Sequence, residues 1–426
     1  MKERCPLTRV LGLQMYKTFF YHKEFLKKFI QTIRWLFFNC RLDLREIITF
    51  VSMRQKRVYM TVSSDLATDN RVHRSCTVLE ALGFQVFLIG RQKKSSPKMP
   101  NRSYKTQRIK LSFEKGALFY ASLNLRLFFI LLFNKLDFIF ANDLDTLPAA
   151  FLVSRIKRIP ILYDSHELFT EVPELTNRPR IQKIWGAIER FILPRLKEIC
   201  TVNQSIANIF KHKYKLEVSV VRNVPQKLEA ISALSKSELG LSEHQKMLII
   251  QGSGLNVQRG IEEAVLAMAS ISNAVLFLVG DGDVIPEVKK LVVVHSLQDK
   301  VRFVPRLPYP ELMRYTAAAD LGLALDKPLS LNYQLALPNK VFDYIQANTP
   351  IVSSPLIEIE RLIQKHDCGE IIATVSPEAI ATCINALLAN PQRLQQLKVN
   401  CHQAAEIEHW DMDKDVLTEL ALRVFV

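Results

Sequence analysis

Short apolar segments alternate with longer amphipathic ones along most of the chain, beginning at Val58. The apolar segments predict strands, and the segments between them, with apolar positions three or four residues apart, predict helices. The predicted strands are VYMTVS, FQVFLIG, LDFIFA, PILYD, EICTVN and EVSVVRN, followed by MLIIQG, AVLFLVG, KVRFV, LGLALD, PIVSS and EIIATV. This alternation predicts an α/β protein whose parallel sheets are covered by helices on both faces.

The alternating pattern runs twice, which predicts two successive doubly wound, Rossmann-like domains facing a cleft. We expect the first domain at residues 58–225 and the second at residues 226–405, with a hinge near residues 223–243. The chain from about Pro391 is predicted to be helical, and we assign its last part, 406–426, to a separate helix.

Residues 1–57 fit neither domain and form a basic, aromatic leader with 13 Lys or Arg residues and 4 Asp or Glu residues. One interpretation is a start codon upstream of the true one, since Met53 directly precedes the first strand. The other is a peripheral helix, FLKKFIQTIRWLFF, that lies on an anionic membrane surface. Because most of the net charge of +15 lies in this leader, the charge does not favour nucleic-acid binding by the domains.

The cysteines indicate a reducing compartment. All seven are scattered and form no C-x-x-C motif, which is typical of reduced thiols in a cytosolic protein without a zinc site. No run of 18 apolar residues occurs, so we expect no membrane-spanning helix, and the N-terminus lacks a signal-peptide core. We therefore expect a cytoplasmic protein, associated with the inner face of the cell membrane if the leader binds lipid.

Glycine is scarce in the chain, yet five of its 13 glycines fall between residues 252 and 282. Gly252 and Gly254, in QGSGLNVQRG, follow a strand and would let a phosphate approach the backbone. Gly280 and Gly282, in GDG, also follow a strand, but this sequence is equally typical of an ordinary turn. Neither loop matches the dinucleotide-binding fingerprint or a Walker A loop.

Two cations in the second domain occupy predicted helix starts, where the helix dipole disfavours positive charge. Arg259 precedes the helix predicted at residues 260–271, and Lys340 begins the helix in ALPNKVFDYIQANTP, with Asp343 on the same face. If both cations converge on one cleft, they would neutralise a diphosphate. The alternative is two unrelated surface cations.

Polar loops also follow strands in the first domain. His166 lies in YDSHE, where it would face the mouth of the cleft or have only a structural role. The loops SSDLATDNRVHR and ANDLDTL contribute Asp65, Asp69, Asn142 and Asp143, which could bind a hydroxyl-rich ligand or act as turn and cap residues. No metalloprotease, nucleophile-elbow or kinase motif is present.

Together, SSDLATDNRVHR, ANDLDTLPA, YDSHELFTEVPEL, QGSGLNVQRGIEEA and ALPNKVFDYIQANTPIV resemble motifs of bacterial nucleotide-sugar glycosyltransferases of the GT-B fold, more narrowly the retaining family 4 group. The resemblance covers residues 58–405, and EHWDMDKDVLTELAL resembles the helix that crosses back to the first domain. It implies transfer of a sugar from a nucleotide-diphosphate sugar to a hydroxyl acceptor with retention. The acceptor classes implied are bacterial surface polysaccharides and lipid-linked glycans.

The resemblance also implies roles for particular residues. Arg259 and Lys340 would hold the diphosphate, Asp343 the ribose, and His166 would contact the donor sugar once the domains close. No metal or other cofactor is implied. This sequence departs from the family where the first glutamate of the E-x7-E motif falls at Leu335, and where the first basic residue of the glycine-rich loop is absent.

Two alternatives remain. A nucleotide-sugar epimerase of the same fold would bind the same donor without an acceptor, although no dedicated carboxylate set for proton abstraction is visible. A glycosyltransferase-like scaffold without catalysis is the other, because of the missing glutamate.

Overall fold

The computed structural model describes residues 55–252 and 254–425, and it confirms an α/β fold with two parallel sheets. The strands are β1 (Arg57–Asp65), β2 (Gln85–Gln92), β3 (Lys105–Lys110), β4 (Phe138–Asn142), β5 (Ile161–Ser165), β6 (Glu198–Thr201), β7 (Glu217–Val220), β8 (Lys246–Gly252), β9 (Ala274–Gly280), β10 (Val301–Val304), β11 (Leu321–Ala324), β12 (Ile351–Ser353) and β13 (Gly369–Ile371). The α-helices are α1 (Asn70–Ala81), α2 (Gly116–Phe133), α3 (Leu147–Lys157), α4 (Pro173–Thr176), α5 (Pro179–Ile192), α6 (Gln204–Tyr214), α7 (Ile261–Ala267), α8 (Ile285–Val294), α9 (Tyr309–Ala318), α10 (Leu331–Gln334), α11 (Asn339–Gln346), α12 (Ile357–His366), α13 (Pro377–Leu388), α14 (Pro391–Ala405) and α15 (Trp410–Phe425).

Both sheets have the doubly wound order that the sequence predicts. The first is β3-β2-β1-β4-β5-β6-β7 and the second is β10-β9-β8-β11-β12-β13. In each, the strand that comes first in the sequence pairs in parallel with the next strand on one side and a later strand on the other. The strand order therefore reverses beside β1 and beside β8, where loops at the carboxyl ends of strands leave room for a ligand.

The second sheet shows why its strands read as continuous apolar runs. Five of the seven residues in β8 are buried, and helices cover both faces of the sheet, so four of these five are apolar and the fifth, Gln251, is hydrogen-bonded. Leu248, Ile250, Leu276 and Leu278 pack in one cluster with residues from α7, α8 and α13. This rigid platform fixes the positions of the loops at its carboxyl edge.

Three elements differ from the prediction. Strand β3, in which only Ile109 is buried, was not predicted. The predicted helix 260–271 is shorter, with α7 followed by a 3-10 turn at Met268–Ser270. By length and composition α2 could cross a membrane, although the sequence predicted no such segment, because Ser122, Asn124 and Arg126 interrupt its apolar run.

Internal packing divides the described chain into two compact units. The first comprises the residues up to Ile161 and the chain end from Ala421, and the second comprises Leu162–Leu420. Within the first unit, the Phe425 ring packs against Phe84 and Phe138, with ring centroids 6.0 and 4.7 Å away. The last helix thus ends in the first unit, as predicted. The domain limits 58–225 and 226–405 stay predictions, and the leader up to residue 54 lies outside the described residues.

Candidate functional site

Arg259 and Lys340 meet at one carboxylate, that of Asp326. Arg259 Nη1 lies 2.5 Å from Asp326 Oδ1, and Lys340 Nζ lies 2.8 Å from Oδ2. Asp326 follows β11, Arg259 follows β8, and Lys340 lies in the first turn of α11, so three chain segments converge at the carboxyl edge of the second sheet. The two cations predicted from the sequence are therefore neighbours.

Arg259 can approach Asp326 because the residue after Arg259, Gly260, packs closely against the residue before Asp326, Leu325. Gly260 has φ 70°, and a Cβ atom there would lie 2.3 Å from the carbonyl oxygen of Leu325. No side chain fits in that space, and the left-handed backbone also favours glycine. The loop before α7 can consequently lie directly against the end of β11.

The electrostatics of this cluster leave an excess of positive charge. Burial would raise the pKa of Asp326, but Lys340 and Arg259 outweigh burial and hold that pKa below its ordinary value. Burial likewise disfavours the charged Arg259 guanidinium, yet Asp326 raises the pKa of Arg259. One carboxylate faces two basic side chains, so an anionic ligand would complete the charge balance.

Arg259 also stacks on an aromatic ring. Its guanidinium carbon lies 4.9 Å from the centroid of the Tyr333 ring, which is in α10. A cation over an aromatic face is stabilised by the ring quadrupole, so the ring restricts the guanidinium as Asp326 does. The Arg259 side chain, 28% exposed, is thus held in place with part of its surface open to a ligand.

The loop that carries His166 is hydrogen-bonded to the same helix, α10. The Leu168 backbone N–H donates to Asn332 Oδ1 at 2.9 Å, and Asn332 Nδ2 donates to Glu167 Oε2 at 3.2 Å. His166 Nε2 lies 3.2 Å from Oδ2 of the buried Asp164, and its side chain is 18% exposed. All these residues belong to the second compact unit, where α10 connects the His166 loop to the Arg259 cluster.

Asp343 lies one turn after Lys340 on α11 and is held by two donors. Gln251 Nε2 donates to Asp343 Oδ2 at 3.1 Å, and the Tyr309 hydroxyl donates to Oδ1 at 2.9 Å. Gln251 is itself buried and bonded to Thr316. The carboxylate is thus oriented at the end of β8, beside the predicted phosphate cations.

The two glycine-rich loops pack against each other. Gly252 and Gly280 are partners in the register of β8 and β9, and a Cβ atom on Gly280 would lie 1.9 Å from the Gly252 carbonyl oxygen. A Cβ atom on Gly282 would lie 2.0 Å from the Leu255 carbonyl oxygen. Packing therefore explains Gly280 and Gly282 without a ligand, whereas a Cβ atom on Gly252 or Gly254 would come no closer than 3.4 Å to its neighbours.

The position of the missing family glutamate is apolar and closed. Leu335 is 4% exposed, and its backbone carbonyl accepts a hydrogen bond from Asn203 Nδ2 at 2.7 Å. Position 335 therefore supplies a buried apolar side chain and no carboxylate. Leu335, which stands in place of the family's first glutamate, is thus a packing residue whose backbone bonds to Asn203.

The acceptor-side candidates lie together in the first unit, at the adjacent carboxyl ends of β1 and β4. Asp69 caps α1 by accepting from the Val72 N–H, and Asn142 is fully buried and donates to the Thr61 carbonyl, so these two side chains have structural roles. Asp65 accepts from Arg108 Nη2 at 3.2 Å. Asp143 is half-buried, with φ 60°.

No group of three or more His, Cys, Asp or Glu side chains able to hold a metal ion occurs within residues 55–252 and 254–425. The five cysteines in this part of the chain form no disulfide.

Sequence reasoning missed Asp326, Tyr333 and Asn332. The other candidates were chosen because they follow predicted strands at the carboxyl edge of a sheet. Asp326 meets the same criterion, since it ends the predicted strand LGLALD. Tyr333 and Asn332 lie in a helix of only four residues, which has no periodic signal.

Two family models match the chain. The model described as Glycosyltransferase Family 4 matches residues 69–224, and that described as Glycosyl transferases group 1 matches residues 245–390. Together they account for more than half of the chain. A comparison with curated protein sequences found no match.

Solved structures share the fold at low sequence identity. A sucrose-phosphate synthase from Thermosynechococcus elongatus is 17% identical with a TM-score of 0.70, covering 87% of this chain and 99% of its own. WaaG, a glycosyltransferase involved in lipopolysaccharide biosynthesis, is 16% identical with a TM-score of 0.62, covering 85% and 99%. HepE from Anabaena, solved with UDP-glucose, is 14% identical with a TM-score of 0.64, covering 86% and 99%.

Proposed function

This chain belongs to the family 4-like glycosyltransferases of the GT-B fold, and on that premise we propose that it transfers a sugar from a nucleotide-diphosphate sugar to a hydroxyl acceptor with retention. The observation that carries the proposal is the convergence of Arg259 and Lys340 on Asp326. HepE supports the donor class, because it was solved with UDP-glucose.

In the proposed reaction, the bond from the anomeric carbon to the diphosphate breaks, and a bond to the acceptor oxygen forms on the same face. Nucleoside diphosphate, glycosylated acceptor and a proton are the products. Negative charge grows on the leaving phosphate as its bond breaks, and Arg259 and Lys340 stabilise it there. Asp343 binds the ribose, and the backbone beside Gly252 and Gly254 approaches the diphosphate.

We also propose the setting of the reaction. The enzyme acts in the cytoplasm, without a metal cofactor, on a glycan or lipid-linked acceptor of bacterial surface polysaccharide synthesis. The involvement of WaaG in lipopolysaccharide biosynthesis supports an acceptor of this class.

Incubation of the purified protein with radiolabelled nucleotide sugars, with and without EDTA, tests the reaction. We expect release of nucleoside diphosphate, with transfer of sugar to an acceptor or slow hydrolysis. Interconversion of the nucleotide sugar without release would favour the epimerase alternative. Donor binding with no turnover, for any donor and acceptor mixture tried, would favour the catalytically inactive scaffold.

Arg259→Ala and Lys340→Ala should each lower kcat/KM by on the order of 100-fold or more, because each removes a charge that stabilises the leaving group. Lys246→Ala is the matched control, since Lys246 forms a 3.1 Å ion pair with Asp320 at the opposite end of the same sheet. Near-normal turnover in either site variant would contradict the phosphate assignment.

His166→Ala should lower kcat strongly and change donor affinity little. The nucleotide contacts come from Arg259, Lys340 and Asp343, whereas we assign His166 to the sugar. Calorimetric binding of the nucleoside diphosphate and steady-state kinetics separate the two effects. His212→Ala, in an exposed position on α6, is the control. An equal loss of affinity and kcat would show that His166 holds the loop and does not act on the sugar.

A further inference from the structure

Helix α2 in the first unit has an apolar inner face and an apolar outer face. Phe119, Leu123, Leu127 and Leu131 are buried, at intervals of four residues. The opposite face carries four large apolar side chains that are 46–78% exposed: Leu118, Leu125, Phe129 and Phe133. A helix packed on one side and apolar on the other indicates a surface that something covers.

The chain around this helix is strongly basic. Residues 91–135 contain eleven Lys or Arg residues and a single acid, Glu114. These cations are Arg91, Lys93, Lys94, Lys98, Arg102, Lys105, Arg108, Lys110, Lys115, Arg126 and Lys135. The leader is therefore one of two basic segments, and this one contains α2 with its exposed apolar face.

A pocket of about 510 Å³ opens between β3 and the outer side of α2. Its lining combines cations with apolar groups: Gln92, Gln107, Arg108, Ile109, Lys110, Arg126, Phe129 and Ile130. Arg126 donates to the Lys110 backbone carbonyl, so its side chain is held at the edge of β3. Phe129 belongs both to the pocket and to the exposed face, which makes the two continuous.

We propose that α2 lies in the plane of an anionic lipid bilayer, with its outer apolar side chains among the acyl chains and a lipid headgroup phosphate in the pocket between Lys110 and Arg126. Apolar residues flanked by Lys and Arg are what binding at an anionic interface requires. A spanning orientation is incompatible with the inner face of α2, which packs on the first unit. The inference does not depend on the reaction proposed above.

Charge decides against two other occupants of this surface. A second copy of the chain would bring its own basic segment, residues 91–135, against this one, and repulsion between like charges would oppose the contact. Residues 1–57 are basic as well, with 13 cationic and 4 acidic residues, so they offer no complementary charge. An anionic bilayer alone complements both the charge and the apolar face.

Co-sedimentation of the full chain tests the proposal. The vesicles are phosphatidylcholine alone or an equal mixture of phosphatidylcholine and phosphatidylglycerol. We expect binding to the mixed vesicles that weakens as salt is raised. Phe129→Ser with Phe133→Ser, and separately Leu118→Ser with Leu125→Ser, should each lower binding by about tenfold or more, since each pair removes much of the inserted area. Lys110→Gln with Arg126→Gln should weaken binding to the mixed vesicles only.

Val293→Ser with Val294→Ser is the matched control, because these two α8 residues are 63% and 74% exposed in the other unit. The thermal midpoint of every variant, and its hydrolysis of donor without vesicles, should equal those of the wild type. If both α2 double variants bind as the wild type does, another segment carries the membrane contact and the proposal is wrong. A wild-type dimer in light scattering that the α2 variants dissociate would also overturn it, as would equal binding to neutral vesicles.

Discussion

Asp326 is a positioning residue in the proposed site, because it touches both predicted phosphate cations and is too buried to reach the donor itself. Replacing it by Asn preserves the shape of the side chain but removes the charge that aligns Arg259 and Lys340. We expect Asp326→Asn to lower kcat by on the order of 100-fold, the cost of misplacing groups by about an ångström. Affinity for nucleoside diphosphate should be unchanged or tighter, since the site becomes more positive.

Asp320→Asn is the control for this variant, because Asp320 precedes the same strand and pairs with Lys246 at the opposite end. Kinetics and calorimetry of the two variants give the required comparison. A normal kcat for Asp326→Asn would refute the positioning role. Loss of affinity in step with kcat would instead show that Asp326 maintains the local fold.

Residue types at strand ends could be predicted from the sequence, but their contacts could not. Arg259 and Lys340 were recognised because a cation at a helix start is unfavourable without a partner. Part of the compensating negative charge comes from the protein itself, since Asp326 forms ion pairs with both cations. Fully buried Asn142 and the cap Asp69 look like ligand-binding residues in the sequence, because loops after strands contain the same residue types for structural reasons.

A buried ion cluster links the segment after β7 to the start of α15. Arg222 donates to Glu408 and, at 2.7 Å, to Asp413, while His366 and Lys365 lie 2.7 and 2.9 Å from Glu408. Glu408 is fully buried. Burial would raise its pKa, but hydrogen bonds from His366 and the charge of Arg222 prevail and lower the pKa to about 2.

Because the folded-state pKa of Glu408 lies below its ordinary value of 4.5, its contribution to stability is complete above that value and is lost as pH falls toward 2. The contribution is on the order of 3 kcal/mol. Glu408→Gln should therefore unfold more easily than the wild type at pH 7, and the difference should shrink below about pH 4. Urea denaturation at several pH values measures it.

Glu406→Gln provides the comparison, since Glu406 forms an exposed ion pair with Lys227 and should contribute little to stability. If the stability difference between Glu408→Gln and the wild type stays constant with pH, the loss of stability at low pH does not come from protonation of Glu408.

The strands that the sequence revealed and those that it hid differ in burial. The central strands, such as β8 and β9, are buried on both faces and appear as uninterrupted apolar runs. The edge strand β3 buries only one side chain, so its sequence KTQRIK carries no alternation. The membrane-spanning length of α2 was missed because a count of consecutive apolar residues stops at Ser122, Asn124 and Arg126, which interrupt the run along the sequence.

We expect that deletion of residues 1–52 leaves a folded enzyme. The first described strand, β1, starts at Arg57 and takes both its neighbours, β2 and β4, from later in the chain. The thermal midpoint and the rate of donor hydrolysis should match those of the full chain. Exposed apolar surface, detected by dye binding, or a collapse of the midpoint would show that the leader packs into the fold.

The close approach of Gly260 to the Leu325 carbonyl has a consequence for any saturation mutagenesis of this enzyme. Almost every replacement at Gly260 would push the Arg259 loop away from β11, so the position would score as intolerant as Lys340. Activity alone would then mark as catalytic a residue that has no side chain to act with. Scoring cellular abundance in parallel separates the two cases, because Lys340 variants should accumulate normally while Gly260 variants should be depleted.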